Sequence, residues 1–169
     1  NIMQIQSVIR MLGLLLMLFS LAIIPPILVS IIYQDNETWS FFYAFILIFV
    51  SGLLLWLPAV HAKTDLKLRD GFIIVVLFWF VLSTFGSLPM LLSESMDISI
   101  TNAIFESISG LTTTGATILN EIDNLPKSIL FYRQYLQWLG GLGIIVLAVA
   151  VLPMLGVGGM QLYKAEVAG

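Results

Sequence analysis

From Met11 to Ile32 the chain runs without a single charged side chain, and the same holds from Trp39 to Val60 and from Gly71 to Leu92. Wound as α-helices at about 1.5 Å per residue, each run is roughly 33 Å long, enough to cross about 30 Å of hydrocarbon. Three such runs in 169 residues leave no room for a water-facing surface of ordinary polarity. Only 10% of the residues are charged and 59% are hydrophobic, where a soluble domain carries about a quarter charged residues. The chain therefore belongs to the membrane class. It holds no cysteine, which excludes disulfides, thiolate metal sites and cysteine nucleophiles. Its seven Lys and Arg residues are scattered and form no basic patch for nucleic acid.

A fourth candidate span runs from Ile129 to Leu155, interrupted only by glycines and Pro153. The first apolar run is too long for a signal-peptide core and ends in no small-residue cleavage site, so it reads as a retained membrane helix. Pro25 and Pro26 fall inside it and predict a kink, because two backbone donors are missing there. The alternative is that they end one short helix and begin another. Residues 34–38 form a tight acidic turn. Residues 61–70, with Lys63, Lys67 and Arg69, mark a cytoplasmic loop by the positive-inside rule. Arg10 and Lys164 fall on the same side in a four-span count, giving an N-in, C-in orientation. The external side then holds Lys127 and Arg133 together with Asp35, Glu37, Glu94, Asp97, Glu121 and Asp123. His61 has no partner at ligand spacing and reads as a solvated loop residue. No phosphate-cradling loop, metal-ligand cluster or Ser/His/Asp constellation supports an enzyme.

The segment from 93 to 128 is too long for a turn and too short for two more spans. Within it, "TNAIFESISGL" (101–111) has helical periodicity, with Ile104, Ile108 and Leu111 on one face and Asn102, Glu106 and Ser109 on the other. Thr101 is the expected N-cap. Such a helix is roughly 16 Å long, half the hydrocarbon thickness. Thr112–Thr113–Thr114–Gly115–Ala116 follows, and an extended run of five residues also covers roughly 16 Å. A half-helix going down and a strand returning make a re-entrant segment, tolerated only when buried in protein or lining a wet cavity. Carbonyl oxygens of such a strand can replace the hydration shell of a permeating cation. The half-helix aims its negative end at the same place. Neutral carbonyl and hydroxyl oxygens suit potassium, and Gly115 supplies the backbone freedom to point carbonyls inward. The competing reading is a polar external loop with a helix cap at Gly110.

Arg133 starts the fourth span and is expected to snorkel at the external interface; bracing of the loop through Glu106 is the functional alternative. Gly140, Gly141 and Gly143 predict close approach of a neighbouring helix, as do Ser83, Gly86 and Ser87 on the third span. Gly156, Gly158 and Gly159 predict unwinding at the end of the fourth span. Tyr33, Trp39 and Trp138 suit interfacial anchoring.

"SGLTTTGAT", "FYRQYLQWLGGLGIIVLAVAVLP", "GVGGMQLYKAE" and "LKLRDGFIIVVLFW" together resemble the Trk/Ktr/HKT superfamily of potassium transporters, nearest to its bacterial Trk membrane subunits, over essentially the whole chain. The resemblance implies four consecutive helix–pore-loop–helix modules around one pathway, preceded by an N-terminal hairpin. Residues 1–62 would be that hairpin, and 63–169 the first module, with its re-entrant segment at about 97–125. The fold class is thus an all-α membrane protein. The family's filter carries over onto Thr113, Thr114, Gly115 and Ala116 as backbone-carbonyl ligands with Thr112 flanking, and potassium would sit at Thr113, Thr114 and Gly115. Glu106 and Arg133 would support the loop. One filter segment where the family needs four implies a fragment that does not conduct alone. The implied setting is the bacterial inner membrane, with potassium as the transported ion and no organic cofactor. The implied partners are three further modules, a second copy of the full subunit, a cytosolic nucleotide-binding Trk A-type ring and the bilayer. A pore-less scaffold subunit, or a channel of four identical copies, are the alternatives.

Overall fold

The computed structural model describes residues 2–62 and 67–154. The expectations at Lys63, Leu155, Gly156, Gly158, Gly159 and Lys164 fall outside the described residues. Among those described, all regular structure is helical: α1 (Ile2–Leu21), α2 (Ile24–Tyr33), α3 (Thr38–Trp56), α4 (Leu68–Gly86), α5 (Leu88–Leu92), α6 (Ile100–Leu111) and α7 (Lys127–Met154). Three stretches are long and apolar enough to cross a membrane, Ile5–Tyr33, Thr38–Ala59 and Arg69–Leu92. The expected fourth, α7, has 28 residues and is roughly 42 Å long. Its N-terminal half carries Arg133, Gln134 and Gln137, so its apolar character begins only near Leu139.

The first and third spans are broken at their prolines, whereas Pro58 falls in the short 3-10 turn that ends the second. The first is not one kinked helix but two, meeting at Ala22 and Ile23. Pro25 and Pro26 sit in the first turn of α2, where a missing N–H costs nothing. The break falls just before them because the carbonyls of Leu21 and Ala22 would otherwise lack their helical donors. The third span breaks the same way at Ser87, with Pro89 opening α5. There the carbonyl of Gly86 accepts a hydrogen bond from the hydroxyl of Tyr132, a fully buried residue of α7. Tyr132 also meets Phe41 edge-to-face with ring centroids 5.4 Å apart.

Association of helices in lipid draws little from water exclusion and relies on close packing. The chain places its small residues accordingly. A Cβ at Gly13 would lie 2.7 Å from the Gly52 carbonyl, and one at Gly52 would lie 2.8 Å from the Gly13 carbonyl, so α1 and α3 cross backbone to backbone. A Cβ at Gly86 would meet the Ser107 hydroxyl at 2.6 Å, as the packing expectation for the third span requires. Leu16, Phe19, Ile23, Phe41 and Ile48 from α1–α3 share one buried cluster with Leu82, Met90, Ala103, Leu111, Tyr132 and Leu136. The hairpin and the helices after residue 67 are thus packed on one core.

The acidic turn contributes a polar tie. Asp35 accepts hydrogen bonds from the Ser30 hydroxyl (2.6 Å), the Glu37 amide (3.1 Å) and the Ser128 amide (2.8 Å). Ser128 lies in the first turn of α7, so a carboxylate from the hairpin satisfies one of the free donors of that helix. Burial raises the Asp35 carboxyl, but the hydrogen bonds from Ser128, Ser30 and Glu37 outweigh it and hold the group below its ordinary 3.8. A depressed carboxylate stabilises the fold fully above its unfolded value and loses that contribution as pH falls through the folded value.

Two outcomes follow for the full-length protein in detergent. Gly52→Val is expected to destabilise by about 1–3 kcal/mol through overpacking, measured as a lowered unfolding midpoint. Asp35→Asn is expected to lower stability by a constant amount above pH 5, and the gap to the parent should close as pH falls below about 4.

Candidate ion-filter segment

The short helix α6 begins two residues earlier than expected. Its N-cap is Ser99, not Thr101, and the Ser99 hydroxyl accepts from the Asn102 amide at 3.2 Å. Ser99 wins because its extended backbone sits just outside the first turn. The helix is inside out relative to a soluble one: Glu106, Ser107 and Ser109 are buried, whereas Ile100, Phe105 and Ile108 are exposed. Polar groups turned into a helical bundle need partners within the protein, as Glu106 and Ser109 find here. Leu111, expected on the face of Ile104 and Ile108, is instead buried because the last turn slides beneath α7. Gly140 permits this: a Cβ there would collide with the Leu111 carbonyl. Gly110 adds to the contact, its place for a Cβ lying 3.1 Å from that of Leu136. The packing expectation holds for Gly140, while nothing lies within 4 Å of a Cβ at Gly143.

Neither a five-residue strand nor a cap at Gly110 follows. The helix ends with Thr112 as C-cap, and two reverse hydrogen bonds close it, Thr113 N to Gly110 O and Thr114 N to Ser109 O, both 2.9 Å. That pattern is a Schellman turn, whose left-handed residue is ordinarily glycine. Here it is Thr113, with φ +57°. A β-branched side chain in that conformation costs about 1–2 kcal/mol. Gly115 also has positive φ, at +77°, with Thr114 negative between them. The chain therefore alternates in sign instead of lying extended, and its carbonyls do not alternate sides as they do in a β-strand. Residues 112–118 are all exposed.

Behind this exposed turn lies a clamp. The Glu106 carboxylate accepts from the Thr117 hydroxyl (2.6 Å) and the Ile118 amide (2.7 Å) through Oε1, and from Arg133 Nε (3.3 Å) through Oε2. The Glu106 side chain is 2% exposed and that of Arg133 11%. Arg133 thus turns into the protein instead of snorkelling outward: a buried carboxylate needs the cation more than the interface does. The Ser109 hydroxyl donates to the Ala116 carbonyl at 2.6 Å, which turns that carbonyl toward α6. Of the expected filter carbonyls, Ala116's is therefore held from behind. The Thr112 hydroxyl donates to Ile108 O at 2.7 Å and lies 2.8 Å from the Thr114 hydroxyl, so these side chains serve the turn itself. Ser109, Thr117 and Ile118 were not among the residues assigned from sequence. Their pairings close a loop across the turn, and no helical period announces such a pairing.

Residues 37–169 match the family described as TrkH, cation transport protein. The chain belongs to the TrkH family. It is 56% identical over 167 residues to the Trk system potassium uptake protein TrkH of Vibrio parahaemolyticus, covering 99% of this chain and 34% of that protein. The Escherichia coli K12 TrkH is also 56% identical, over 99% of this chain and 35% of the relative. TrkG of the same organism is 40% identical over 100% of this chain and 35% of the relative. The crystal structure of the potassium transporter TrkH from V. parahaemolyticus superposes with a TM-score of 0.87 at 54% identity, over 98% of this chain and 35% of that one. This TrkH-family chain therefore spans about a third of the length of its curated relatives.

Since the Glu106–Arg133 pair is nearly dry, Glu106→Gln in the full-length protein is expected to cost about 3–5 kcal/mol by leaving a buried cation unpaired. The Glu106→Gln/Arg133→Gln double variant should fall short of the sum of the singles by at least about 1 kcal/mol in a double-mutant cycle. Strict additivity would remove the pair from the account. Thr113→Gly should keep the turn and raise stability by about 1 kcal/mol.

Proposed function

We propose that this chain supplies one wall of a potassium filter within a Trk-type uptake subunit. The observation that carries the reading is a half-length helix, α6, ending in an exposed turn of alternating backbone sign that is fixed from behind by Ser109, Glu106 and Arg133. The end of α6 carries partial negative charge toward that turn. The carbonyls of Thr112, Thr113, Thr114 and Gly115 are neutral oxygens of the kind that replace water around a weakly hydrated monovalent ion. Ala116 acts as the anchor of the turn through Ser109. The potassium uptake for which the relatives are named agrees with this chemistry.

In this reading residues 1–62 form the hairpin that precedes the first pore module, 63–169. Three further modules of the full-length subunit complete the ring of oxygens, and α6 presents its exposed Ile100, Phe105 and Ile108 to lipid or to them. The chain crosses the bacterial inner membrane with both ends inside, and the 61–70 loop is cytoplasmic. A second copy of the full subunit and a cytosolic nucleotide-binding ring complete the assembly. No catalytic chemistry and no organic cofactor enter; potassium is the cargo.

Gly115 tests the filter. A Cβ there meets nothing within 4 Å, so any effect of a small side chain comes from its φ of +77° or from its charge, not from crowding. Gly115→Asp in the full-length subunit is expected to abolish potassium-limited growth of a cell lacking other uptake systems. Gly115→Ala, strained by about 1 kcal/mol, is expected to reduce uptake and weaken discrimination against sodium. Normal uptake by Gly115→Asp at normal membrane abundance would sink the assignment.

A further inference from the structure

Away from the filter, at the opposite end of α1, a groove of about 490 Å³ opens between α1 and α4. Val8 and Leu12 line its floor, and they pack with Ile74 in a small buried apolar cluster of their own. Ile5 and Ile73 form exposed walls, and both belong to helices that cross the membrane. One end of the groove is polar, lined by Lys67, Arg69 and Asp70 at the start of α4. The three are not equivalent. Asp70 is buried, and its carboxylate accepts from the Lys67 amide at 3.0 Å, closing the first turn of the helix. Lys67 and Arg69 are exposed, and the one ion pair among the described residues lies elsewhere, at Glu106 and Arg133. The polar end therefore offers two movable cations beside one fixed, inward-turned anion. It also offers the positive end of α4.

An apolar channel along membrane helices with cations at its mouth has the chemistry of a lipid, with chain and headgroup in register. We propose that this groove binds an anionic phospholipid, its acyl chain along Val8, Leu12 and Leu77 and its phosphate on Lys67 and Arg69. The volume is within the range of built ligand pockets. Basic pockets between membrane helices hold such headgroups, each cation contributing comparably near the surface. A zwitterionic lipid offers the same chains but cancels the attraction at the mouth, so charge complementarity selects the anionic species. The site is independent of the filter reading: it joins the hairpin to α4 and touches no residue of the 106–118 clamp.

The test is native mass spectrometry of the full-length subunit in detergent, titrated with phosphatidylglycerol or with phosphatidylcholine of identical chains. The parent should retain phosphatidylglycerol with a preference on the order of tenfold. Lys67→Gln/Arg69→Gln, at exposed positions, should abolish the preference, and Ile9→Trp should lower retention of both lipids by filling the groove. Equal retention of the two lipids by the parent would overturn the proposal, and so would an unchanged preference in the double variant. Displacement by soluble glycerol phosphate alone would also overturn it, since the chain would then play no part. No uptake by a filter variant bears on these outcomes, so the two readings fail separately.

Discussion

Glu106 is a carboxylate with almost no access to solvent, placed on a helix half as long as a bilayer is thick. Three donors reach it: the hydroxyl of Thr117, the amide of Ile118 and the guanidinium of Arg133. They come from two parts of the chain that flank the turn, the returning segment and α7. A buried charge that is paired and fully hydrogen-bonded fixes its neighbours, because every alternative leaves a charge unpaired in a medium of low dielectric. The shape of the 112–118 turn, the seat of α6 against α7 and the inward direction of Arg133 all hang on this one group.

The rest of the packing lets that arrangement sit where it does. Gly140 lets α7 press on the last carbonyls of α6, and Gly86 leaves room for Ser107 on the other side. Tyr132 takes the carbonyl freed where the third span breaks, and Asp35 takes an amide at the head of α7. The two helices packed most closely on α6, α4 and α7, are therefore each anchored by a polar contact at a place where backbone regularity is lost. Breaks, small residues and polar ties occur together because each break releases backbone groups that lipid cannot satisfy.

Much of this was legible in the residues. Charge-free runs gave the three apolar crossings, since nothing but a membrane accommodates them. The periodicity of 101–111 gave the half-helix, and the glycines of α7 gave its close approach. What periodicity could not give was direction: the same stripe of Ile104 and Ile108 describes a helix with its apolar face inward or outward. The proline pair marked a distortion, but only the competition for the Leu21 and Ala22 carbonyls decides between a kink and two helices. Thr113 in a left-handed turn ran against its own propensity, so propensity could not find it. The Ser109–Ala116 and Glu106–Thr117 contacts join residues across a loop, where no spacing rule applies.

The inverted α6 also bears on how such a chain is made. A charged residue near the centre of a bilayer costs about 2.5–3.5 kcal/mol when a segment inserts by itself, and α6, with 12 residues, is too short to cross in any case. Its counter-charge lies 27 residues downstream on α7. During synthesis the segment from Ser99 to Ile118 therefore has no stable place in the lipid until Arg133 has emerged and α7 has begun to insert. Its natural waiting position is the aqueous face of the membrane. In the proposed re-entrant arrangement, this piece would be the last part of the region to find its seat, folding inward onto helices already in place.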